Sequence, residues 1–222
     1  MSNPDGSGFD WRAWHALYDA DTPLARRLAI VQRRIRDTLD NHPPGPVRVV
    51  SICAGEARDL LGALHGHARA HDVHARLVEL DPMLAATARA RVMAMGLDRV
   101  DVVNGDASTT SAYDGAVPAD LVLACGVFGN ITDDDIANTI RLLPMLCAPG
   151  ATVIWTRHRM EPDKTPVIRG WFADAGLAQL AFDAPEDFLF TIGTNRYDGD
   201  AKPFARDVRL FTFVGYEHLA AP

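Results

Sequence analysis

Three short stretches place residues with ligand-binding chemistry directly after apolar runs of the sequence. The small residues Cys53-Ala54-Gly55 follow the first run, Glu79 ends the second, and Asp106 comes after the third. A turn of small residues lets a ligand approach the backbone, and the helix expected after it offers free N–H groups. An acid about twenty residues beyond such a turn is placed to accept hydrogen bonds from both hydroxyls of a ribose. The order of the three stretches therefore predicts a nucleoside-type site.

Each stretch also has a plain structural explanation. Small residues are common in turns between strands and helices, and Glu79 could be a solvated surface acid. Asp106 could cap the turn before Ser108-Thr109 instead of accepting from an adenine amine beside the N–H of Ala107. Both interpretations stay open for each stretch alone, and only the complete set favours a ligand site.

A fourth apolar run ends at Cys125-Gly126, and small residues there suit a slot for a narrow apolar group. The following Thr132 precedes three consecutive aspartates. Three consecutive acids point in different directions from one helical turn, so we interpret Thr132 as an N-cap and the acids as helix-dipole charges. We expect no metal site.

The composition limits the classes of function. The chain has 222 residues, a formal net charge of -7 and a sequence pI near 5.5, which argues against a nucleic-acid partner held through a basic face. Its three cysteines lack the spacing of a disulfide framework or a zinc site. The sequence shows no signal-peptide pattern and no membrane-spanning run. We therefore expect a cytoplasmic protein with no membrane partner.

The hydrophobic pattern supplies the elements that position these residues. Apolar strands alternate with amphipathic helices, which is typical of βαβ units and a parallel sheet with right-handed crossovers. The predicted strands are 47–53, 74–79, 100–103, 120–125 and 151–157, the helices are 56–70, 82–95, 133–147 and 164–176, and two β-rich runs, 187–193 and 208–216, form an antiparallel hairpin.

The predicted fold class is α/β. We expect a Rossmann-like, doubly wound, mostly parallel seven-stranded sheet with an antiparallel C-terminal hairpin and additional N-terminal helices. Residues 1–8 are expected to be mobile, and residues 9–44 form N-terminal helices, the first of which is a candidate lid. Residues 45–222 form the main domain. One N-terminal helix begins at Thr22-Pro23, a suitable N-cap and first-turn pair.

In this order the four stretches resemble the motifs of class I S-adenosylmethionine-dependent methyltransferases, over about residues 45–216. The resemblance implies S-adenosylmethionine as cofactor and S-adenosylhomocysteine as product. Ser51 stands where the family commonly has an acid, and Cys53 and Ala57 stand where it usually has glycines, so Asp59 is a candidate replacement for that acid. The implied cofactor-binding residues are Ser51, Cys53, Ala54, Gly55, Asp59, Glu79, Leu80, Asp106, Ala107 and Cys125.

The resemblance also implies an acceptor site, formed by N-terminal helices, the ends of strands four and five, and the final hairpin. It nominates His158 as a general base for an oxygen acceptor, with a surface histidine as the alternative. The stretch after strand four lacks the Asn/Asp-Pro-Pro-aromatic pattern of many methyltransferases that act on nucleic acids. We therefore expect a small-molecule methyl acceptor, with oxygen as the attacked atom. The nominated acceptor residues are Tyr18, Phe128, Asn130, Arg157, Asn195 and Arg196.

Two other classes of function remain alternatives: a non-catalytic, methyltransferase-like protein that binds a metabolite, and a nicotinamide-dependent oxidoreductase. The latter is disfavoured because a dinucleotide pyrophosphate would need the missing glycines. Monomer and homodimer both stay open.

Overall fold

The computed structural model of the chain describes residues 22–215 and 219. Trp11, Trp14 and Tyr18, and with them the candidate lid, lie outside the described residues. The described part forms five α-helices and seven strands. The helices are α1 (Pro23–Asn41), α2 (Arg58–Leu64), α3 (Pro82–Ala94), α4 (Asp133–Leu142) and α5 (Thr165–Asp174), and the strands are β1 (Val47–Ile52), β2 (Val73–Glu79), β3 (Val100–Asn104), β4 (Ala119–Ala124), β5 (Cys147–His158), β6 (Leu177–Asp183) and β7 (Phe190–Tyr197).

The helix predicted from Thr22-Pro23 is α1, and its start is confirmed. The Thr22 side chain accepts a hydrogen bond from the Ala25 N–H at 3.2 Å. Its apolar face, which includes Ile35 and Leu39, is fully buried in the core that also covers the sheet. Helix α1 is therefore a structural part of the main domain.

The sheet has the order β3-β2-β1-β4-β5-β7-β6. The first five strands are parallel, and β7 is antiparallel to both β5 and β6. In β4, Leu121 and Leu123 face one core and Val122 and Ala124 face the other, as expected for a strand covered on both faces. Residues of α1, α2 and α3 pack on the first face, and residues of α4 and α5 pack on the second. The predicted fold class is confirmed.

The prediction for the C-terminal hairpin was wrong in its strands. The structure forms it from β6 and β7, whereas residues 208–215 form a single bridge, Thr109 with Arg209, and no strand. The missed strand β6 lies at the sheet edge with a register shift, and Leu180 on it is exposed, so its sequence lacks a clear buried face. Residues 208–215 are apolar for another reason: Leu210 and Phe211 are buried against the segments after β3 and β4.

The strand order reverses between β1 and β4, and this topological switch point locates the site. In doubly wound sheets, ligands bind outside the carboxyl ends of the strands at such a point. Within the described residues, no helix combines the length and apolar character needed to cross a membrane.

Candidate active site

A cavity of about 730 Å³ opens at the carboxyl ends of β1, β2, β4 and β5. This volume lies within the range of roughly 300–1,000 Å³ that is typical of small-molecule and cofactor sites. It brings together twelve of the residues singled out from the sequence: Cys53, Ala54, Gly55, Asp59, Glu79, Leu80, Asp106, Ala107, Cys125, Asn130, Arg157 and His158.

The loop after β1 keeps a glycine-type backbone without the usual glycines. Cys53, Gly55 and Ala57 have φ values of 54°, 56° and 56°, in the left-handed region that is unfavourable for residues with a Cβ. Backbone hydrogen bonds hold the loop in this shape: the Ala54 N–H donates to the Val78 carbonyl at 2.9 Å, and the Ala57 N–H donates to the Ala54 carbonyl at 2.8 Å. The substitutions noted in the sequence therefore leave the backbone path open.

Glu79 connects two loops of the site through its carboxylate. Its Oε2 accepts from the Gly55 N–H at 2.7 Å, and its Oε1 accepts from the Asp81 N–H at 2.8 Å. The side chain is buried, and this burial raises the pKa of Glu79 against the opposing effect of the two N–H donors. Asp81 instead caps α3 by accepting from the Met83 and Leu84 N–H groups.

Asp59 supplies a second carboxylate to the same cavity, from the first turn of α2. Its Oδ1 accepts from the Leu60 N–H at 2.7 Å. Burial raises the pKa of Asp59, while the Leu60 N–H and the positive charge of Arg27 act in the opposite direction. The negative charge of Asp59 in turn contributes to raising the pKa of the Cys125 thiol, after the larger effect of burial. Asp59 and Cys125 are therefore near each other.

Asp106 makes the turn bond that the sequence allowed, and its adenine contact stays a prediction. Its Oδ1 accepts from the Ser108 N–H at 2.8 Å, which is a local turn bond, and its side chain also lines the cavity. Nearby, Asn104 donates to the carbonyls of Glu79 and Leu80 at 2.9 and 2.8 Å. The loops after β2 and β3 are thus tied together at the cavity.

His158 is the last residue of β5 and lies beside Gly129 in the segment after β4. A Cβ atom added to Gly129 would be 3.6 Å from the Cδ2 atom of His158. Burial, and then the charge of Arg157, lower the pKa of His158 to about 4, so its ring is neutral at about pH 7. The Met160 N–H donates to Nδ1 at 3.3 Å. This favours the neutral tautomer with its hydrogen on Nε2.

Four residues singled out from the sequence do not line the cavity. Ser51 is buried within the sheet, and Phe128 is fully buried with its ring centroid 5.9 Å from that of Trp155. Asn195 accepts from Trp155 Nε1 at 2.9 Å, and Arg196 pairs with Asp198. Asn195 and Arg196 lie at the end of the sheet away from the cavity because β7 runs antiparallel to β5. Phe190 of β7 pairs with His158 at the cavity end, and Arg196 pairs with Thr152 at the other end. A fifth residue, Tyr18, lies outside the described residues.

The sequence analysis missed a wall of the cavity built by α1 and by the connection from β6 to β7. Arg27, Leu28 and Val31 come from α1, and Phe188, Leu189 and Phe190 come from the connection and the start of β7. The direction of β7 could have indicated Phe190, because an antiparallel neighbour of β5 begins where β5 ends. Nothing in the sequence distinguished Arg27 from the other arginines of α1.

No protein-family model matches the sequence, and no curated protein matches it. Comparison with solved structures gives many matches. A 1,6-didemethyltoxoflavin-N1-methyltransferase from Burkholderia thailandensis, solved with its substrate and S-adenosylhomocysteine, has a TM-score of 0.61 and 14% identity, over 85% of this chain and 84% of that chain. An O-methyltransferase family protein from the same species has a TM-score of 0.59 and 18% identity, over 85% and 63%. The CurJ carbon methyltransferase has a TM-score of 0.67 and 14% identity, over 86% and 59%.

The chain therefore has the Rossmann-like fold of class I S-adenosylmethionine-dependent methyltransferases. The similar structures include enzymes named for nitrogen, oxygen and carbon, so the likeness does not distinguish the attacked atom. The chain spans about 60% of the length of the last two.

Proposed function

We propose that the protein transfers the methyl group of S-adenosylmethionine to an oxygen atom of a small-molecule acceptor. The observation that carries this proposal is the buried carboxylate of Glu79, which joins the loop after β1 to the loop after β2 at one cavity. Each carboxylate oxygen has two acceptor positions, and each uses one for a backbone N–H. The Leu80 N–H also interacts with this carboxylate, and the positions that remain can accept from a ribose hydroxyl, so Glu79 fits the cofactor.

The other cofactor contacts follow the order of the strands. Asp59 is the carboxylate for the amino group of the methionine end, in place of Ser51. At the opposite end, Leu80, Asp106 and Ala107 would hold the adenine. Cys125 forms the wall where the reacting methyl would lie.

When bound, S-adenosylmethionine would supply a methyl group from its positively charged sulfur. An oxygen of the acceptor takes up this methyl group, and the proton of that oxygen is lost. The contribution of the chain is to orient the two molecules in line and to exclude water. The apolar walls of the cavity suit this role. The general-base role of His158 stays a prediction; its neutral ring lines the cavity.

The preference for oxygen and for a small molecule depends on the residues after β4. They read Cys125-Gly126-Val127-Phe128 and lack the Asn/Asp-Pro-Pro-aromatic pattern, and the net charge of -7 disfavours a nucleic acid. A non-catalytic metabolite-binding protein with the same fold is the second candidate, favoured by the absence of glycines at positions 53 and 57.

Isothermal titration of the full-length protein tests the cofactor, with S-adenosylmethionine, S-adenosylhomocysteine and NAD as ligands. We expect micromolar affinity for the first two and none for NAD. Tight binding of NAD alone would overturn the proposal. Product analysis with ¹³C-methyl-labelled cofactor then identifies the methylated atom from its chemical shift. Binding without turnover across a panel of phenols, acids and amines would favour the non-catalytic candidate.

Cysteine alkylation locates the ligand independently. Cys53 and Cys125 line the cavity, whereas Cys147 is buried in the core and serves as an internal control. Saturating S-adenosylhomocysteine should slow alkylation of the first two thiols in mass spectrometry by more than it slows alkylation at Cys147, which reacts only when the core opens. Equal protection of all three would indicate general stabilisation and no ligand in this cavity.

A further inference from the structure

The half of the cavity beyond Cys125 has a composition that points to a particular kind of acceptor. We propose that the acceptor is a planar, electron-rich aromatic small molecule, an inference that rests on the proposed methyl transfer. It adds to that function the chemical class of the second ligand.

The walls of this half are apolar and come from three separate segments. Helix α1 contributes Leu28 and Val31, the connection from β6 to β7 contributes Phe188 and Leu189, and Met160 follows β5. Apolar and aromatic linings with few polar groups favour ligands that bury apolar surface. A sugar would lose hydration at each hydroxyl that faces these apolar walls.

The two phenylalanines favour a ring over an aliphatic ligand. The centroids of Phe188 and Phe190 are 6.0 Å apart, and their planes are tilted by 57°. Two rings inclined in this way can offer a guest ring one face and one edge, which are the contacts that aromatic rings prefer. An aliphatic ligand of the same size would gain burial but not these contacts.

The positive charges of two arginines beside the same rings favour an electron-rich ligand. The guanidinium carbon of Arg26 lies 5.3 Å from the centre of the Phe188 ring, and that of Arg27 lies 5.2 Å from the centre of the Phe190 ring. A cation placed over the face of an aromatic ring attracts the π-electrons of that ring. A ring polarised in this way is a better neighbour for an electron-rich ring, such as that of a phenol or naphthol.

Two charged side chains beside this wall, Asp187 and Arg159, have partners within the protein. Asp187 pairs with Arg26 at 2.9 Å. The side chain of Arg159 donates to the Pro185 carbonyl and, at 2.9 Å, to the Phe188 carbonyl, and its backbone N–H donates to the Leu189 carbonyl. Arg159 therefore satisfies three carbonyls of the connection, and Phe188 and Leu189 present side-chain carbon to the cavity beside the paired carboxylate of Asp187.

The test compares 1-naphthol with 1-decalol, which keeps the hydroxyl and the two-ring skeleton but is saturated. Each is titrated into the full-length protein saturated with S-adenosylhomocysteine. We expect 1-naphthol to bind about tenfold more tightly than 1-decalol. Equal affinities, or no binding of 1-naphthol to protein that does bind S-adenosylhomocysteine, would overturn the aromatic acceptor and leave the methyltransferase proposal standing.

Variants of the phenylalanines test whether the preference for 1-naphthol arises from this wall of the cavity. Phe190→Leu keeps apolar volume but removes the ring, and it should reduce the affinity for 1-naphthol about fivefold with little change for 1-decalol. The matched control is Phe182→Leu on the same hairpin, since Phe182 also carries a stacked arginine, Arg169 at 4.6 Å, but does not line the cavity. Equal losses in both variants would contradict the assignment. Phe188→Leu repeats the test if Phe190→Leu does not fold.

Failure of the two proposals can be separated. A protein that binds no S-adenosylhomocysteine overturns the proposed function. Titration of 1-naphthol into the unliganded protein and the two phenylalanine variants then still measures whether this wall prefers an aromatic ring, and no preference would also overturn the inference.

Discussion

The two halves of the cavity are built in different ways. The proposed cofactor half consists of the loops directly after β1, β2 and β3, and their contacts are between backbone groups and the carboxylates of Glu79 and Asp106. The acceptor half is assembled from segments far apart in the sequence, α1 and the connection from β6 to β7. They are joined by a side-chain ion pair, that of Arg26 with Asp187 at 2.9 Å. The difference predicts that each half can be perturbed without the other.

The largest effect is expected from Glu79→Gln in the cofactor half. The substitution removes the negative charge and one acceptor, and hydrogen bonds to charged groups contribute about 1.5–3 kcal/mol each. The affinity for S-adenosylhomocysteine in isothermal titration should fall about 100-fold. Affinity for 1-naphthol in the unliganded protein should not change. Asp101→Asn, at an exposed carboxylate on β3, is the control, and an equal loss there would point to a non-specific charge effect.

Arg159→Ala should loosen the acceptor half alone. Loss of its charged hydrogen bonds to the Pro185 and Phe188 carbonyls should speed hydrogen exchange in residues 184–190 by about 10- to 100-fold. Affinity for S-adenosylhomocysteine should remain within about twofold.

Arg169→Ala is the matched control for this variant, because Arg169 contacts the same hairpin through Gln179 and Phe182 on the side away from the cavity. If exchange rises equally in both variants, or if S-adenosylhomocysteine binding collapses with Arg159→Ala, the two halves are not independent.

The same division explains what the sequence could predict. The turn at residues 53–55, Glu79 and Asp106 each follow their strand directly, so a correct strand assignment is enough to bring them to one cavity; their cofactor roles remain proposals. Phe188 and Phe190 depend on which residues pair across the antiparallel strands. A wrong choice of the last strand moved that prediction to Asn195 and Arg196, at the opposite end of β7.

Arg27 could not be predicted at all. Its position on the Phe190 ring depends on how α1 packs against the sheet, and hydrophobic periodicity predicts only that one face of the helix is buried. Phe128 illustrates the opposite error, because the sequence suggested a site residue where the structure has a core residue. An aromatic residue beside glycines after β4 fits a site, but its ring completes a core cluster with Trp155 and Phe172.

The pH dependence of binding provides a smaller test of the cofactor half. The proposed ribose contact requires ionised Glu79, whose pKa is raised by burial. Affinity for S-adenosylhomocysteine should therefore increase as pH rises from the ordinary glutamate value of about 4.3 through this raised pKa, by at most about tenfold per pH unit for one proton. Titrations at several pH values should give a shallower profile in Glu79→Gln, in which Asp59, whose pKa burial also raises, still titrates. A flat wild-type profile would contradict the contact.

The stability of the unliganded protein should change in the opposite direction. A carboxyl group whose pKa is higher in the folded state binds more protons there than in the unfolded state. The contribution of Glu79 to the free energy of unfolding therefore falls as pH rises through the same window. Urea unfolding at matched pH values measures it, and the difference between wild type and Glu79→Gln isolates the group.

The smallest effect concerns the backbone strain of the cofactor loop. Cys53→Gly should relieve a left-handed residue and raise the free energy of unfolding by less than about 1 kcal/mol, after the greater entropy of glycine in the unfolded chain is subtracted. Ala57→Gly relieves a similar φ but deletes a fully buried methyl group, which costs about 0.8 kcal/mol, so it should bring no gain. Urea midpoints compare the two. If Cys53→Gly stabilises the protein and weakens S-adenosylhomocysteine binding, Cys53 is retained for contact with the ligand; a loss of stability would mean that its side chain packs well enough to offset the strained φ.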